Sequence, residues 1–218
     1  MRISPFVLFL LCMAAAIASL SALDLTAIAE NDAKALRDAV EKEGGRVKGE
    51  PVVTTATGPD GATTRVLSFP TPDSFVDLPI SPAANFWKMS GAILIDETPF
   101  TKVGGAMFGV LFGQNDSVLA IIAGKWSKVA SPHLMSGANT LLQDVEFQEG
   151  GVPQTGAWQK ILLVLDGTEW KLQIGDSFSK SGNIEEDTRD ALKRRTGLSM
   201  RIGTFTGSAT LPEFTESQ

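Results

Sequence analysis

The chain is poor in the residues that most often carry chemistry. Among 218 residues there is one cysteine, one histidine and no tyrosine. Cys12 lies inside the N-terminal apolar run, so a chain processed after that run holds no cysteine, and both disulfides and Cys-based metal sites are excluded from it. The lone His133 excludes a multi-histidine zinc site. It has no evident nucleophile partner and reads as a loop residue rather than a triad member. Basic residues are also short: 19 Lys and Arg stand against 25 Asp and Glu, for a net charge of −6, and the cations are scattered. Nucleic acid is therefore not an expected partner, because phosphate binding needs a basic face. What remains is core material. Hydrophobic residues make up 43%, with 12 Phe and 4 Trp, enough for a two-sheet core in one large β-domain.

Residues 5–23, PFVLFLLCMAAAIASLSAL, follow a positive Arg2 and end in small-x-small patterns. This predicts a signal peptide over 1–21 and a secreted, extracellular protein. The alternative is an uncleaved anchor, since about 17 apolar residues approach the length that spans a bilayer; membrane contact is expected only then. Leu11 stands where a lipoprotein site before Cys12 needs a small residue. Residues 22–45 are expected to hold a helix over 24–43. Leu25, Ile28, Ala33, Leu36 and Val40 keep helical spacing, Asp24 is the N-cap, and Gly44-Gly45 form the stop. Such a helix either docks a partner or lies across the domain or its rim.

The chain is arranged around residues 156–176, GAWQKILLVLDGTEWKLQIGD. Two strands flank Asp166-Gly167-Thr168, an Asp-Gly hairpin turn. Trp170, Leu172 and Ile174 alternate with Lys171 and Gln173, giving one apolar and one wet face. Residues 161–165 are apolar at every position, so both faces of that strand need cover, the second by something like the N-terminal helix. This Gly-x-Trp, apolar strand, Asp-Gly, short strand pattern resembles the central hairpin of laminin G-like domains in the concanavalin A-like lectin/glucanase superfamily. The short strand Phe75-Val76-Asp77-Leu78 before a longer one, and the late strand 198–203 ending in Ile-Gly, resemble the same superfamily. The resemblance covers about residues 65–215.

Other segments read as strands too: a hairpin within 47–69 turning on Gly58-Pro59-Asp60-Gly61, then 74–78, 87–96, 107–112, 118–123 and 141–148. Residues 184–195 are charged and read as a short helix or loop. Ten to twelve short strands with turn signals predict an all-β, antiparallel two-sheet jelly-roll sandwich over 46–218, with an N-terminal helix.

Chemistry has few places to sit. Gln143-Asp144-Val145-Glu146-Phe147 looks like the acidic strand of laminarinase-type retaining glucanases. On a strand Asp144 and Glu146 share a face, with Cα atoms about 6.6 Å apart, and the carboxyls can approach the roughly 5.5 Å of a retaining mechanism. Leu142 occupies the position of that family's nucleophilic glutamate, and an alkyl group forms no glycosyl-enzyme intermediate. The same acids equally suit a solvated strand face. No cofactor is expected. Calcium is possible at Asn115 and Asp116, with Asp166 and Asp176 as further loop oxygens, although turn chemistry explains each. Asn115-Asp116-Ser117 is also a glycosylation sequon. Trp126, flanked by Lys125, Ser127 and Lys128, is the candidate sugar-stacking aromatic, while Trp87, Trp158 and Trp170 sit in apolar patterns that suit a core. The expected function is non-catalytic recognition of a glycan or an extracellular protein. A glucanase-like hydrolase using Asp144 and Glu146, or a structural or assembly protein, is the alternative.

Overall fold

The structure is a computed structural model that describes residues 23–71, 73–80, 86–96, 106–112, 117–123, 132–136, 139–140, 156–166, 168–176, 178–183, 186, 198–203 and 206–217. The first described elements are a 3-10 turn, Leu25–Ala27, and a helix α1, Ala33–Lys42. Strands follow: β1 Arg46–Lys48, β2 Val52–Thr57, β3 Thr63–Phe69, β4 Phe75–Ile80, β5 Phe86–Ile95, β6 Ala106–Phe112, β7 Ser117–Ala123, β8 Pro132–Ser136 and β9 Asn139–Thr140. The chain ends with β10 Trp158–Leu165, β11 Glu169–Ile174, β12 Phe178–Asn183, β13 Leu198–Gly203, β14 Gly207–Ala209 and β15 Glu213–Ser217. One sheet runs β1-β4-β13-β6-β7-β8-β9 and the other β12-β11-β10-β5-β14-β3-β2, with β15 also on β5. Every strand pair among the described residues is antiparallel. The expected two-sheet jelly-roll sandwich with an N-terminal helix is the fold observed.

Period-2 alternation explains how the sheets meet. Ile161 and Leu163 of β10, Trp170, Leu172 and Ile174 of β11, Met89 and Ile93 of β5, and Phe214 of β15 face inward from the eight-stranded sheet. Val47, Val76, Leu78, Met200 and Ile202 meet them from the other. Each such side chain contributes about 1.5–3 kcal/mol of apolar burial. Gly182 lies opposite Trp170 in the β11–β12 register, where a Cβ would stand 2.8 Å from the indole Nε1; glycine there makes room for the ring. β14 and β15 run end to end along one side of β5. Ala209 pairs with Ile93 and Glu213 with Ser90, so three residues of one strand oppose two of the other. Pro212 lacks a ladder donor, and the extra residue is a bulge.

The expected helix over 24–43 is two pieces. Asn31 adopts φ 56°, a left-handed conformation that no α-helix continues through, and Glu30 bridges Val53. Asp24 caps the 3-10 turn through Thr26 N–H, while Asp32 caps α1 through Ala35 N–H at 2.9 Å. The helix also does not cover the second face of β10. It packs against β1, β2 and β4, closing the open side between the sheets with Leu36 and Val40. These two are its only fully buried side chains, so its apolar stripe is one i, i+4 pair wide and fits an edge rather than a sheet face. Residues 46–48 do not extend the β2–β3 hairpin; they pair with β4 in the other sheet.

At the Asp166 turn, the carboxylate accepts Glu169 N–H at 2.7 Å and Thr168 N–H at 3.1 Å. The Glu169 N–H bond, then that of Thr168, holds the Asp166 carboxyl below its ordinary range. A depressed carboxyl stabilises the fold above the unfolded value of about 4, and that contribution is lost as pH falls through the lower folded value. Asp166→Ala is therefore expected to lower Tm at pH 7, and the gap to the parent should close as pH drops below about 4. A gap independent of pH in thermal melts would refute this.

The predicted leader 1–21, strand 141–148 and charged segment 184–195 (Glu186 apart) lie outside the described residues. No described helix is long and apolar enough to cross a membrane.

Candidate functional site

The outward positions of the eight-stranded sheet follow from its core register. With Ile161, Leu163, Leu172, Ile174 and Met89 inward, a row of five side chains crosses the outer face: Glu213, Ser90, Leu162, Gln173 and Ser179, from β15, β5, β10, β11 and β12. Lys88 lies two residues to one side of this row and Lys160 two residues to the other. They are about 13 Å apart along the strands, four rises of roughly 3.3 Å. A cleft of about 640 Å³ opens here, its floor formed by Ser90, Ala92, Leu162 and Gln173.

Two loops shape the cleft. Thr210, at the β14–β15 bulge, donates its N–H to Ala92 O at 2.9 Å, and its hydroxyl accepts Ala92 N–H at 2.8 Å, so the bulge is fixed against the floor. Pro59 also lines the cleft, from the turn between β2 and β3. Gly58 N–H bonds Ala62 O at 2.8 Å to close that turn, and Trp158 Nε1–H donates to Thr57 O at 2.8 Å. Trp158 shares the parity of Lys160 and Leu162. It is half-buried on the outer face, not in the core where its apolar neighbours predicted it. Trp170 is in the core, as expected.

The cleft offers apolar surface from Ala92 and Leu162, hydroxyl and amide groups, two lysines and one glutamate. That set suits a ligand with alternating hydrocarbon and hydrogen-bonding groups. Lys88, Lys160 and Glu213 have no ion-pair partner among the described residues. Among the described residues no opposite charge competes with a ligand for their ends.

The outer face of the seven-stranded sheet has a different character. Arg46, Asp77, Arg201 and Gly109 are cross-strand neighbours on β1, β4, β13 and β6. Arg201 grips the Asp77 carboxylate with two bonds, Nε to Oδ1 at 2.6 Å and Nη2 to Oδ2 at 2.7 Å. Arg46 adds Nη2 to Oδ2 at 3.0 Å. Phe75, next along β4 on the same face, has the Arg201 guanidinium 3.6 Å from its ring centroid.

Asp144, Glu146, Leu142, Trp126, Asn115 and Asp116 all lie outside the described residues, and so does Gly167 of the Asp-Gly turn. His133 is on β8, not in a loop. Asp166 serves the turn. Among the described residues no three His, Cys, Asp or Glu side chains gather as a metal site. Sequence reasoning that searched for acids and exposed aromatics missed the cleft. Its signal was present in the outward half of the alternation, Lys88-x-Ser90 and Lys171-x-Gln173, but naming it required knowing which strands are neighbours.

No protein-family model and no curated protein matches the chain. Solved structures do. The enzymatically active domain of tailspike protein 2 from bacteriophage CBA120 superposes with a TM-score of 0.55 at 12% identity, over 80% of this chain but only 29% of that one. Domain 4 of AbnA, a GH43 extracellular arabinanase from Geobacillus stearothermophilus in complex with arabinotriose, gives 0.49 at 15% identity, over 79% and 82%. Chicken galectin 2 gives 0.40 at 13%, over 59% and 88%. The tailspike likeness is one of fold.

Proposed function

We propose that the chain is a non-catalytic glycan-binding module of the concanavalin A-like kind, acting outside the cell, and that the cleft on the eight-stranded sheet is where the glycan lies. The observation that carries this reading is the row Ser90, Leu162 and Gln173 flanked by Lys88 and Lys160. A sugar ring presents hydroxyls at its rim and C–H groups on its faces. A flat floor with an apolar centre and donors and acceptors at its margins meets both without a buried unpaired polar atom. Trp158, on the same face beyond Lys160, extends the surface with an amphipathic ring. The phage tailspike domain shares the architecture, and the reading stands on the cleft rather than on it. Trp126 is a further stacking candidate, and calcium at Asn115 and Asp116 a further aid to binding.

The test is a glycan array followed by titration of whatever glycan is retained, with and without chelator. Lys160→Ala/Gln173→Ala should weaken binding at least tenfold while Tm stays within about 2 °C, since outward substitutions cost under about 0.5 kcal/mol. Retention of no glycan, or equal affinity in the variant, refutes the proposal. Glu146→Gln run beside it distinguishes the hydrolytic alternative: product formation lost in that variant alone assigns catalysis to Glu146.

A further inference from the structure

On the seven-stranded sheet, cations outnumber the acid that would explain them. Arg201, Arg46 and Lys48 lie 3.6, 5.2 and 5.9 Å from the centroid of one ring, Phe75. The two arginines share one carboxylate, Asp77, and Lys48 has none, so among the described residues two of the three positive charges lack a paired acid, on a chain whose net charge is −6. A cross-strand brace accounts for Asp77 and Arg201, whose side chains are 7% and 15% exposed. It does not account for Arg46, 67% exposed, or for Lys48, which has no acidic partner among the described residues.

We propose that this face binds a single oxyanion group (sulfate, phosphate or carboxylate) through Arg46, Arg201 and Lys48. The geometry is already organised for it. Both Nη2 atoms bond the same Asp77 oxygen, so the two guanidiniums are held within one oxyanion's span of each other, and each Nη2 has a second hydrogen to give. Neither Nη1 has an acceptor among the described residues. Two forks and a lysine are the donor set that planar and tetrahedral oxyanions take up. Phe75 gives all three cations a common support while Asp77 prevents the arginines from turning away. This site is on the opposite sheet from the glycan cleft and does not depend on that reading.

The experiment is thermal melting and calorimetric titration of the full chain with sodium sulfate and sodium acetate against sodium chloride, at constant ionic strength. Sulfate also stabilises folded proteins by exclusion from their surface, so the readout is the difference between the parent and Arg46→Ala/Lys48→Ala. These two residues are exposed, and their removal leaves the brace in place. The parent should show a saturable rise in Tm at millimolar sulfate, as ligand binding to the native state requires. The double variant should bind at least fivefold more weakly. Lys160→Ala/Gln173→Ala should respond like the parent, which separates this site from the cleft. A stronger response to acetate than to sulfate assigns a carboxylate ligand. Equal responses of parent and double variant to both anions overturn the proposal.

Discussion

Asp77→Ala is expected to cost about 3–5 kcal/mol, a large share of the stability of a domain this size. The side chain is 7% exposed and receives both bonds of Arg201, itself 15% exposed. Without the carboxylate, a mostly buried guanidinium loses its counter-ion, and Arg46, Arg201 and Lys48 repel one another around Phe75. Backbone pairing of β1, β4 and β13 does not depend on the side chain, but Asp77 is where all three strands align, opposite both Arg46 and Arg201. Asp77→Asn keeps the shape and one acceptor and should fall between parent and Ala. Arg46→Ala removes the two-thirds-exposed partner and should cost no more than about 1 kcal/mol, the value of a solvated pair. Urea denaturation at pH 7 measures all three. If Asp77→Ala and Arg46→Ala cost the same, Arg201 reaches water when its partner is removed, and the carboxylate is not a buried counter-ion.

Asp77 also shows where sequence reading stops. The strand 74–78 was legible from Phe75, Val76 and Leu78, because alternation and β-propensity are local. So were the β2–β3 hairpin, with its Gly58-Pro59-Asp60-Gly61 turn, and the β10–β11 hairpin at the heart of one sheet. Both join neighbours in the chain. What was not legible depends on distant pairing. Arg46 and Arg201 are 155 positions apart, and nothing in the sequence says that β1 and β13 flank the same strand. Three-residue strands such as β1 and β14 give too little pattern to register, and they exist because a longer neighbour supplies the ladder. The N-terminal helix was read as continuous because its apolar residues keep helical spacing. That spacing says nothing of Asn31, where the backbone turns left-handed. Trp158 was assigned to the core because its strand is apolar on both faces, and the parity of such a strand is set by partners rather than by its own residues. The cleft follows the same rule: its polar row comes from five strands, and only their order brings it together.

Gly203→Ala tests that order at one atom. Gly203 ends β13 opposite Phe75 with φ 135°, and a Cβ would stand 2.2 Å from Ser74 O and 2.6 Å from Phe75 Cα. Both contacts are backbone, so no side-chain end can swing aside. Ser74 is itself fully buried, its hydroxyl 2.8 Å from that of Thr71. Relief therefore requires β4 and β13 to separate at this end, where Phe75 supports Arg201. The expected cost is about 4 kcal/mol or more, strain and steric displacement together. Gly61→Ala is the matched comparison: its φ is 80°, but nothing lies within 4 Å of its Cβ position, so only the conformational penalty of about 1–2 kcal/mol applies. The difference between the two urea-unfolding free energies measures the backbone collision together with the added strain of φ 135° over φ 80°. A difference under about 1 kcal/mol would mean that β13 does not meet β4 in the Gly203–Phe75 register. The Arg46, Asp77 and Arg201 row depends on the same register, and it would fail with it.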